Sequence, residues 1–419
     1  MKLLFAPWGN PTGWRELFYE FEGEKVKSST SLRILQETIE PDKTIIVGLD
    51  TLAEEGSNYK EVKESAEKKI KEYVSKFGLK NYDILIAPGI GAFPSGIFHG
   101  DALDYYYNII AKVSLNLLEY SDNTLDIHLD LTHGINYQTI LTYRAIKEVL
   151  ELFSIFKEIK FKAYNADPSL PVATDKLFMN IIEGTQPAPK PFDRRIGQRR
   201  TIEPMDLNPE ERRKLFEKDL MCIREIRTSE ILAFIGALYN GLPLALFRFY
   251  PDVNNLKEII SKTIEVYENH MDVWYKEKLN VRRNVKFTED FKVYVFAYLI
   301  ATLLEASHLI SCQKKEVTLP EIEKLKSSLF KFDERFKVRI EDDIHVLRKN
   351  LENKDINKWQ IYNEILEASL GEPDKRNFLA HSGFERNIVE IKKDEEELFL
   401  RYNEDKIETI ADYCQSGLK

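Results

Sequence analysis

Leu125-Asp126-Ile127-His128-Leu129-Asp130-Leu131-Thr132-His133-Gly134-Ile135-Asn136-Tyr137 determines how the first half of this chain is read. Leu125, Ile127, Leu129 and Leu131 alternate with Asp126, His128 and Asp130, which is the period of a strand. The alternation stops at Thr132, and from 138 to 156 apolar residues recur at helical spacing. A strand therefore enters a helix across a turn of small and polar residues. Free N–H groups at such a helix start bind anions without any net positive charge on the protein. Gly134 lets backbone approach a phosphate closely, and Thr132, His133 and Asn136 can hydrogen-bond base, ribose or phosphate. Helix capping alone would also account for the same residue types.

The flanking sequence repeats this pattern. Leu3-Leu4-Phe5-Ala6 reads as a first strand ending in Pro7-Trp8-Gly9-Asn10-Pro11, and residues 14–22 and 24–28 flank Glu22-Gly23 as a hairpin. A helix over 31–39 leads to the strand Thr44-Ile45-Ile46-Val47. A helix over 59–77 stops at Gly78. The strand 83–87 runs into Pro88-Gly89-Ile90-Gly91, a helix covers 102–118, and strands at 159–164 and 177–182 complete the set. The expectation is an α/β domain over 1–185 with a largely parallel sheet. Ligands of open α/β sheets sit beyond the carboxyl ends of the strands. The candidate binding residues in these loops are therefore Gly9, Asn10, Gly89, Gly91, Thr132, His133, Gly134, Asn136 and Tyr137. No GxGxxG follows the first strand and no GxxxxGK[ST] occurs, which excludes standard dinucleotide folds and P-loop NTPases.

Composition narrows the class further. With 43% hydrophobic and 31% charged residues, 18 Gly and 16 Pro in 419, the chain is globular, not disordered or fibrous. Lys plus Arg number 60 against 69 Asp plus Glu, a net charge of −9, so a polyanion must be met by local charge or backbone groups. Cys222, Cys312 and Cys414 are too few and scattered for a disulfide framework or a CxxC metal site, and a reducing, cytoplasmic setting is expected. The uncharged run 231–247, as long as any in the chain, is broken by Asn240-Gly241-Leu242-Pro243 and falls short of a membrane span. Four apolar residues at the start are too few for a signal peptide.

Beyond Pro187-Ala188-Pro189-Lys190-Pro191, a stiff linker, the chain reads as mostly helical. Arg194, Arg195, Arg199 and Arg200 form a basic cluster that could meet phosphates or pair with nearby carboxylates. Helices are expected over 210–227, 229–239, 256–277, 289–311, 320–330, 334–351 and 356–370, with Thr288, Thr318 and Asp355 as N-caps. A small hairpin is expected around Asp394-Glu395. Between these elements, Pro373-Asp374 starts a short helix that Gly383 ends. It carries Arg376, Asn377 and His381, with Arg376 and His381 about 140° apart around a helix. Such a pair supports one chemistry. RNA brings its own nucleophile, the 2′-OH, so cleavage needs proton transfer, in-line geometry and charge stabilisation, but no metal. Histidine suits the proton transfer and a permanent guanidinium suits the phosphorane. A chance Arg-x(4–6)-His match arises about once in such a chain. A second does occur, Arg339 and His345, inside the charged helix 334–351 and read as part of its solvated face.

Taken together, the chain resembles the CRISPR-associated ancillary ribonucleases of type III systems, which join an N-terminal CRISPR-associated Rossmann-fold (CARF) domain to a C-terminal HEPN nuclease domain. The resemblance spans nearly the whole chain. It rests on Trp8-Gly9-Asn10-Pro11 with Trp14, on Asp130-Leu131-Thr132-His133-Gly134-Ile135-Asn136-Tyr137, and on Arg376-Asn377-Phe378-Leu379-Ala380-His381, which fits the family's R-N-x-x-x-H form. It implies a CARF domain at 1–185, a helical, helix-turn-helix-like connector at 186–285 and a HEPN domain at 286–419. It also implies a homodimer whose CARF domains bind a cyclic oligoadenylate, foremost cyclic tetra-adenylate, across a two-fold axis, with Trp14 among the binding residues. Arg376, Asn377 and His381 would then cut single-stranded RNA at a composite site, leaving 2′,3′-cyclic phosphate and 5′-OH ends. No metal, membrane or cofactor beyond the activating ligand is implied. The competing reading is a nucleotide-sensing transcription regulator without nuclease activity, supported by the Arg194–Arg200 cluster and the unassigned middle. A third is slow cleavage of the cyclic ligand at Thr132 and His133.

Overall fold

A computed structural model of the chain describes residues 1–168, 175–190, 192–193, 196, 200–395 and 397–416. They form two compact units: 1–188 with 202–215 and 264–288, and 189–201 with 216–263 and 289–419.

The first unit is built on strands β1 (Lys2–Pro7), β2 (Leu17–Phe21), β3 (Glu24–Ser28), β4 (Lys43–Leu49), β5 (Tyr82–Ala87), β6 (Gly91–Ala92), β7 (Gly96–His99), β8 (Thr124–Asp130), β9 (Glu158–Ala166) and β10 (Lys176–Thr185). Its helices are α1 (Leu32–Ile39), α2 (Tyr59–Phe77), α3 (Ala102–Leu118) and α4 (Asn136–Phe153). The main sheet has the order β3-β2-β10-β9-β8-β1-β4-β5. Its run from β9 to β5 is parallel throughout, as expected, and β10 lies antiparallel on β9. The expected hairpin β2–β3 is present, attached to this sheet through β10. In β8 the apolar residues Leu125, Ile127 and Leu129 are buried, and so are His128 and Asp130 between them. A parallel sheet is covered on both faces, so its polar positions need internal partners. His128 Nδ1 meets the Tyr164 hydroxyl at 2.7 Å, and Asp130 takes the Ser31 hydroxyl at 2.5 Å.

The middle of the chain departs from expectation. The 186–285 segment is shared between the two units and is not a third one. The expected helix over 256–277 ends early: α9 (Val253–Asn269) is followed by β12 (Met271–Tyr275), β13 (Leu279–Arg283) and β14 (Val285–Phe287). β12 and β13 pair antiparallel, and β13 lies parallel to β7 in a small sheet of order β12-β13-β7-β6. β14 pairs with β11 (Ile202–Pro204). Leu279 and Val281 are buried in the same core as Leu4, Trp8 and Val62. Arg283 forms a fully buried ion pair with Asp50 and donates to the His99 carbonyl at 3.1 Å. Asp50 also accepts the Tyr59 hydroxyl at 3.0 Å and the Gly89 N–H at 2.8 Å. Asp104, which interacts electrostatically with Arg283, takes the Phe287 N–H at 2.8 Å and the Tyr267 hydroxyl at 3.1 Å. Burial pushes its carboxyl up to about 7.

Residues 210–227 form two helices, α5 (Pro209–Lys214) and α6 (Met221–Ile226), separated by a π turn. The second unit continues with α7 (Ser229–Asn240), α8 (Pro243–Arg248), the first part of α9, α10 (Glu289–Ala306), α11 (Leu319–Leu329), α12 (Glu334–Leu351), α13 (Tyr362–Ile365), α14 (Lys375–Ala380) and α15 (Ile407–Cys414). Here α7 and α8 are joined through Gly241 and Leu242, and α8 is buried from Pro243 to Arg248. The expected hairpin is present as β17 (Val389–Asp394) and β18 (Glu397–Tyr402). β15 (Val317–Thr318) and β16 (Gln360–Ile361) extend it to four strands. The expected helix over 356–370 shrinks to the four residues of α13, and Asp355 lies in coil. Edge pairing of Gln360 and Ile361 with β17, and the Lys393 N–H on the Ile356 carbonyl at 2.8 Å, hold this segment extended. Thr318 caps α11 as expected. Arg194, Arg195 and Arg199 lie outside the described residues; Arg200 sits over the Phe216 ring at 4.6 Å. Among the described residues no helix is long and apolar enough to cross a membrane.

Candidate functional site

β8, β1, β4 and β5 are neighbours in the sheet, so the loops after them meet at one end of it. Gly9 N–H donates to the His133 carbonyl at 2.8 Å, and Ile90 N–H donates to the Tyr137 hydroxyl at 2.9 Å. The three loops singled out from sequence are thereby joined. Their close approach depends on glycine: a Cβ on Gly9 would lie 2.5 Å from Ile135 Cγ2, and one on Gly134 would lie 2.4 Å from Thr139 Cγ2. Gly9→Ala is accordingly expected to destabilise the first unit by about 1–3 kcal/mol through overpacking, seen as a lower calorimetric midpoint. An unchanged midpoint would show that Ile135 simply turns aside.

Within this cluster, Asn10, Gly91 and Asn136 are exposed, and Asn136 opens α4 with a φ of +31°. Three other expected contacts are committed elsewhere. Trp14 stacks on His133 and on Phe77, with centroids at 4.0 and 6.0 Å. His133 Nε2 accepts the Ser31 N–H at 3.2 Å, and burial pushes its imidazole down to about 3, which keeps it neutral. Thr132 donates its hydroxyl to Asp130 at 2.6 Å and accepts the Ala166 N–H at 3.1 Å. Trp14, Thr132 and His133 thus all have partners within the loops.

Sequence reading missed Gln138, which is fully buried. Its Nε2 donates to the carbonyls of Trp8 at 3.2 Å and Val47 at 3.0 Å, while its Oε1 accepts the Ile135 N–H at 3.2 Å. This side chain ties three loop bases together and caps α4, a task that Thr132 to Asn136 could also have been assigned. A Gln three residues after the helix start was the available signal.

The Arg376 motif occupies the short helix α14. Asp374 caps it by accepting the Asn377 N–H at 2.7 Å, and Gly383, at φ +84°, closes it by donating to the Phe378 carbonyl at 2.9 Å. Phe378 is fully buried against Tyr402 and Tyr413. Arg376, Asn377 and His381 are all exposed. Among the described residues Arg376 makes no hydrogen bond or ion pair, so its guanidinium is available. His381 stands just past the helix as its C-cap, its N–H on the Asn377 carbonyl at 2.9 Å. Its Nδ1 meets Asp343 Oδ1 of α12 at 3.0 Å.

Arg339 is not a solvated surface residue. It is half-buried, donating Nε to the Ser382 hydroxyl at 3.1 Å and Nη2 to the Gly241 carbonyl at 3.1 Å and the Asn240 carbonyl. His345, in the same chance match, is exposed as expected. Asp343 and Ser382 had no sequence signal, because nothing local shows that α12 passes beside residue 381. Glu385 is buried and committed to Asn387, through its side-chain amide at 2.7 Å and its N–H at 2.9 Å. Among the described residues no group of three or more His, Cys, Asp or Glu side chains is placed to hold a metal ion.

Two family models match the chain in this order. "CRISPR system endoribonuclease Csx1, CARF domain" covers residues 3–168, and "CRISPR system endoribonuclease Csx1, HEPN domain" covers residues 333–404. The CRISPR system endoribonuclease Csx1 of Methanocaldococcus jannaschii is 32% identical over 97% of this chain and 92% of its own length. Among solved structures, Vibrio cholerae protein VC1899 aligns at a TM-score of 0.23 and 11% identity over 73% of this chain and 66% of its own. Enterococcus italicus Csm6, bound to cyclic hexa-2′-fluoro-hexa-dAMP, aligns at 0.26 and 12% over 92% and 91%. Overlays that loose carry no argument. The full-length relative and the paired domains do: the chain belongs to the Csx1 family of CRISPR endoribonucleases, with an N-terminal CARF and a C-terminal HEPN domain.

Proposed function

We propose that this endoribonuclease cuts single-stranded RNA through the RNA's own 2′-hydroxyl, without a metal, at Arg376, Asn377 and His381. The observation that carries the reading is a guanidinium that is exposed and, among the described residues, unpaired, on the short helix α14, with an exposed imidazole at its C-cap whose Nδ1 is already occupied. In this reading His381 moves protons at its free Nε2, and the 2′-oxygen attacks the adjacent phosphorus in line. Arg376 stabilises the charge of the phosphorane, and the 5′-oxygen leaves. The ends are a 2′,3′-cyclic phosphate and a 5′-OH. The activator is a cyclic oligoadenylate, foremost cyclic tetra-adenylate, held by the loops around Gly9, Asn10, Trp14, Gly89, Gly91, Thr132, His133, Gly134, Asn136 and Tyr137. A two-fold symmetric ring suits a two-fold homodimer, each protomer holding half. The exposed apolar residues Ile140, Phe178, Ile181 and Ile182 in the CARF domain, and Val338 and Val346 on α12, are in keeping with such pairing. The pairing would bring Arg376 and His381 of both chains into one site, in a cytoplasmic enzyme.

The test is to incubate labelled single-stranded RNA with full-length protein in EDTA, with and without cyclic tetra-adenylate. Cleavage is expected only with the activator, and the products should carry 2′,3′-cyclic phosphates. Dependence on an added divalent metal would overturn the mechanism, and indifference to cyclic oligoadenylates would overturn the activation.

A further inference from the structure

We infer that Asp343 is a positioning residue for this nuclease: its carboxylate accepts the Nδ1 proton of His381 and so fixes the tautomer that leaves Nε2 free to take a proton from the RNA. The inference rests on the reading of His381 as the proton-transfer group and adds the residue that prepares it.

The contact is Oδ1 to Nδ1 at 3.0 Å. The two partners are unequally exposed, the Asp343 side chain at 13% and the His381 side chain at 57%. An ordinary surface pair has both ends in water and is worth little. Here the carboxylate is largely enclosed while the imidazole stands in solvent. Burial raises the carboxyl of Asp343, and His381, Ser382 and Arg339 act against that rise. Asp343 is held rigidly by its helix, since Ile340, Ile344 and Leu347 around it are buried. One turn before it, Arg339 grips the Ser382 hydroxyl, so α12 fastens both the His381 ring and the residue after it. Glu385, the other carboxylate that acts electrostatically with His381, has its oxygens engaged by Asn387.

Tautomer choice is what this arrangement controls. A neutral imidazole carries its proton on either nitrogen, and only the Nδ1–H form presents Nε2 as an acceptor. Histidine free in solution spends much of its time in the other form. A fixed acceptor at Nδ1 removes that loss and also sets the ring's direction.

The test uses full-length Asp343→Asn, Asp343→Glu and His381→Ala proteins in the activated RNA assay, together with nitrogen-15 NMR of histidine-labelled protein. Asp343→Asn is expected to lower kcat by about tenfold or more, less than loss of the base itself, with KM within about twofold. Its His381 resonances should change from the Nδ1–H signature to a mixture, and Asp343→Glu should recover part of both. If His381→Ala is inactive but Asp343→Asn keeps wild-type kcat and tautomer, the positioning role is overturned while the nuclease assignment stands. If His381→Ala still cuts RNA, the nuclease assignment fails first. An Nε2–H tautomer in the wild-type protein would overturn the inference even if Asp343→Asn failed to fold.

Discussion

Replacing His381 with alanine is expected to abolish RNA cleavage, a loss of roughly 10²–10⁴-fold or more in kcat, while cyclic tetra-adenylate still binds. The side chain is mostly exposed, and its backbone N–H bond to the Asn377 carbonyl does not involve the imidazole. Truncation therefore removes chemistry with little effect on packing. Arg376→Ala should fall to a comparable level, because the guanidinium is the only charge the motif offers the phosphorane. Arg376→Lys should recover little of it, since an ammonium lacks the planar fork. The double variant should be scarcely worse than either single one, as for groups that act in one step. Cleavage kinetics and equilibrium binding of the labelled activator read out both halves, and robust cutting by His381→Ala would remove the site from consideration.

The second large effect is expected on stability. Arg283→Met should destabilise the CARF domain by about 3–5 kcal/mol, because it leaves the buried Asp50 carboxylate without its cation. Asp50 would retain only the Tyr59 hydroxyl and the Gly89 N–H. Combining Arg283→Met with Asp50→Asn should recover much of the loss, since removing both charges of a buried pair is far less damaging than removing one. Because Asp50 also fixes Gly89, the single variant should bind cyclic tetra-adenylate more weakly as well. Denaturant titration and ligand titration test the two statements, and a single variant as stable as the parent would show that water reaches Asp50.

Where sequence reading succeeded, neighbouring residues determined the structure. The alternation in β8, the apolar runs of β1 and β4, the Gly78 stop of α2 and the Asp374–Gly383 frame of α14 are all local signals, and all appear in the fold. The failures have a common cause. Met271-Asp272-Val273-Trp274-Tyr275 follows α9 with no Gly or Pro between, so helical spacing seemed to continue. What makes it a strand is β13, which in turn pairs with β7 some 180 residues earlier. Arg339 and Asp343 looked like two more charges on a charged helix until α14 was placed beside them.

The buried pair of Asp50 and Arg283 also bears on how the protein is born. As the chain leaves the ribosome, the eight strands of the main sheet are complete by Thr185, yet the cation that neutralises Asp50 emerges nearly a hundred residues later. Until then β7 has one edge open and Asp50 lacks its counter-charge, the kind of half-finished edge that recruits stray strands. A gene shortened to the apparent sensor domain would make that transient permanent, and its product should clump where the whole chain stays dispersed.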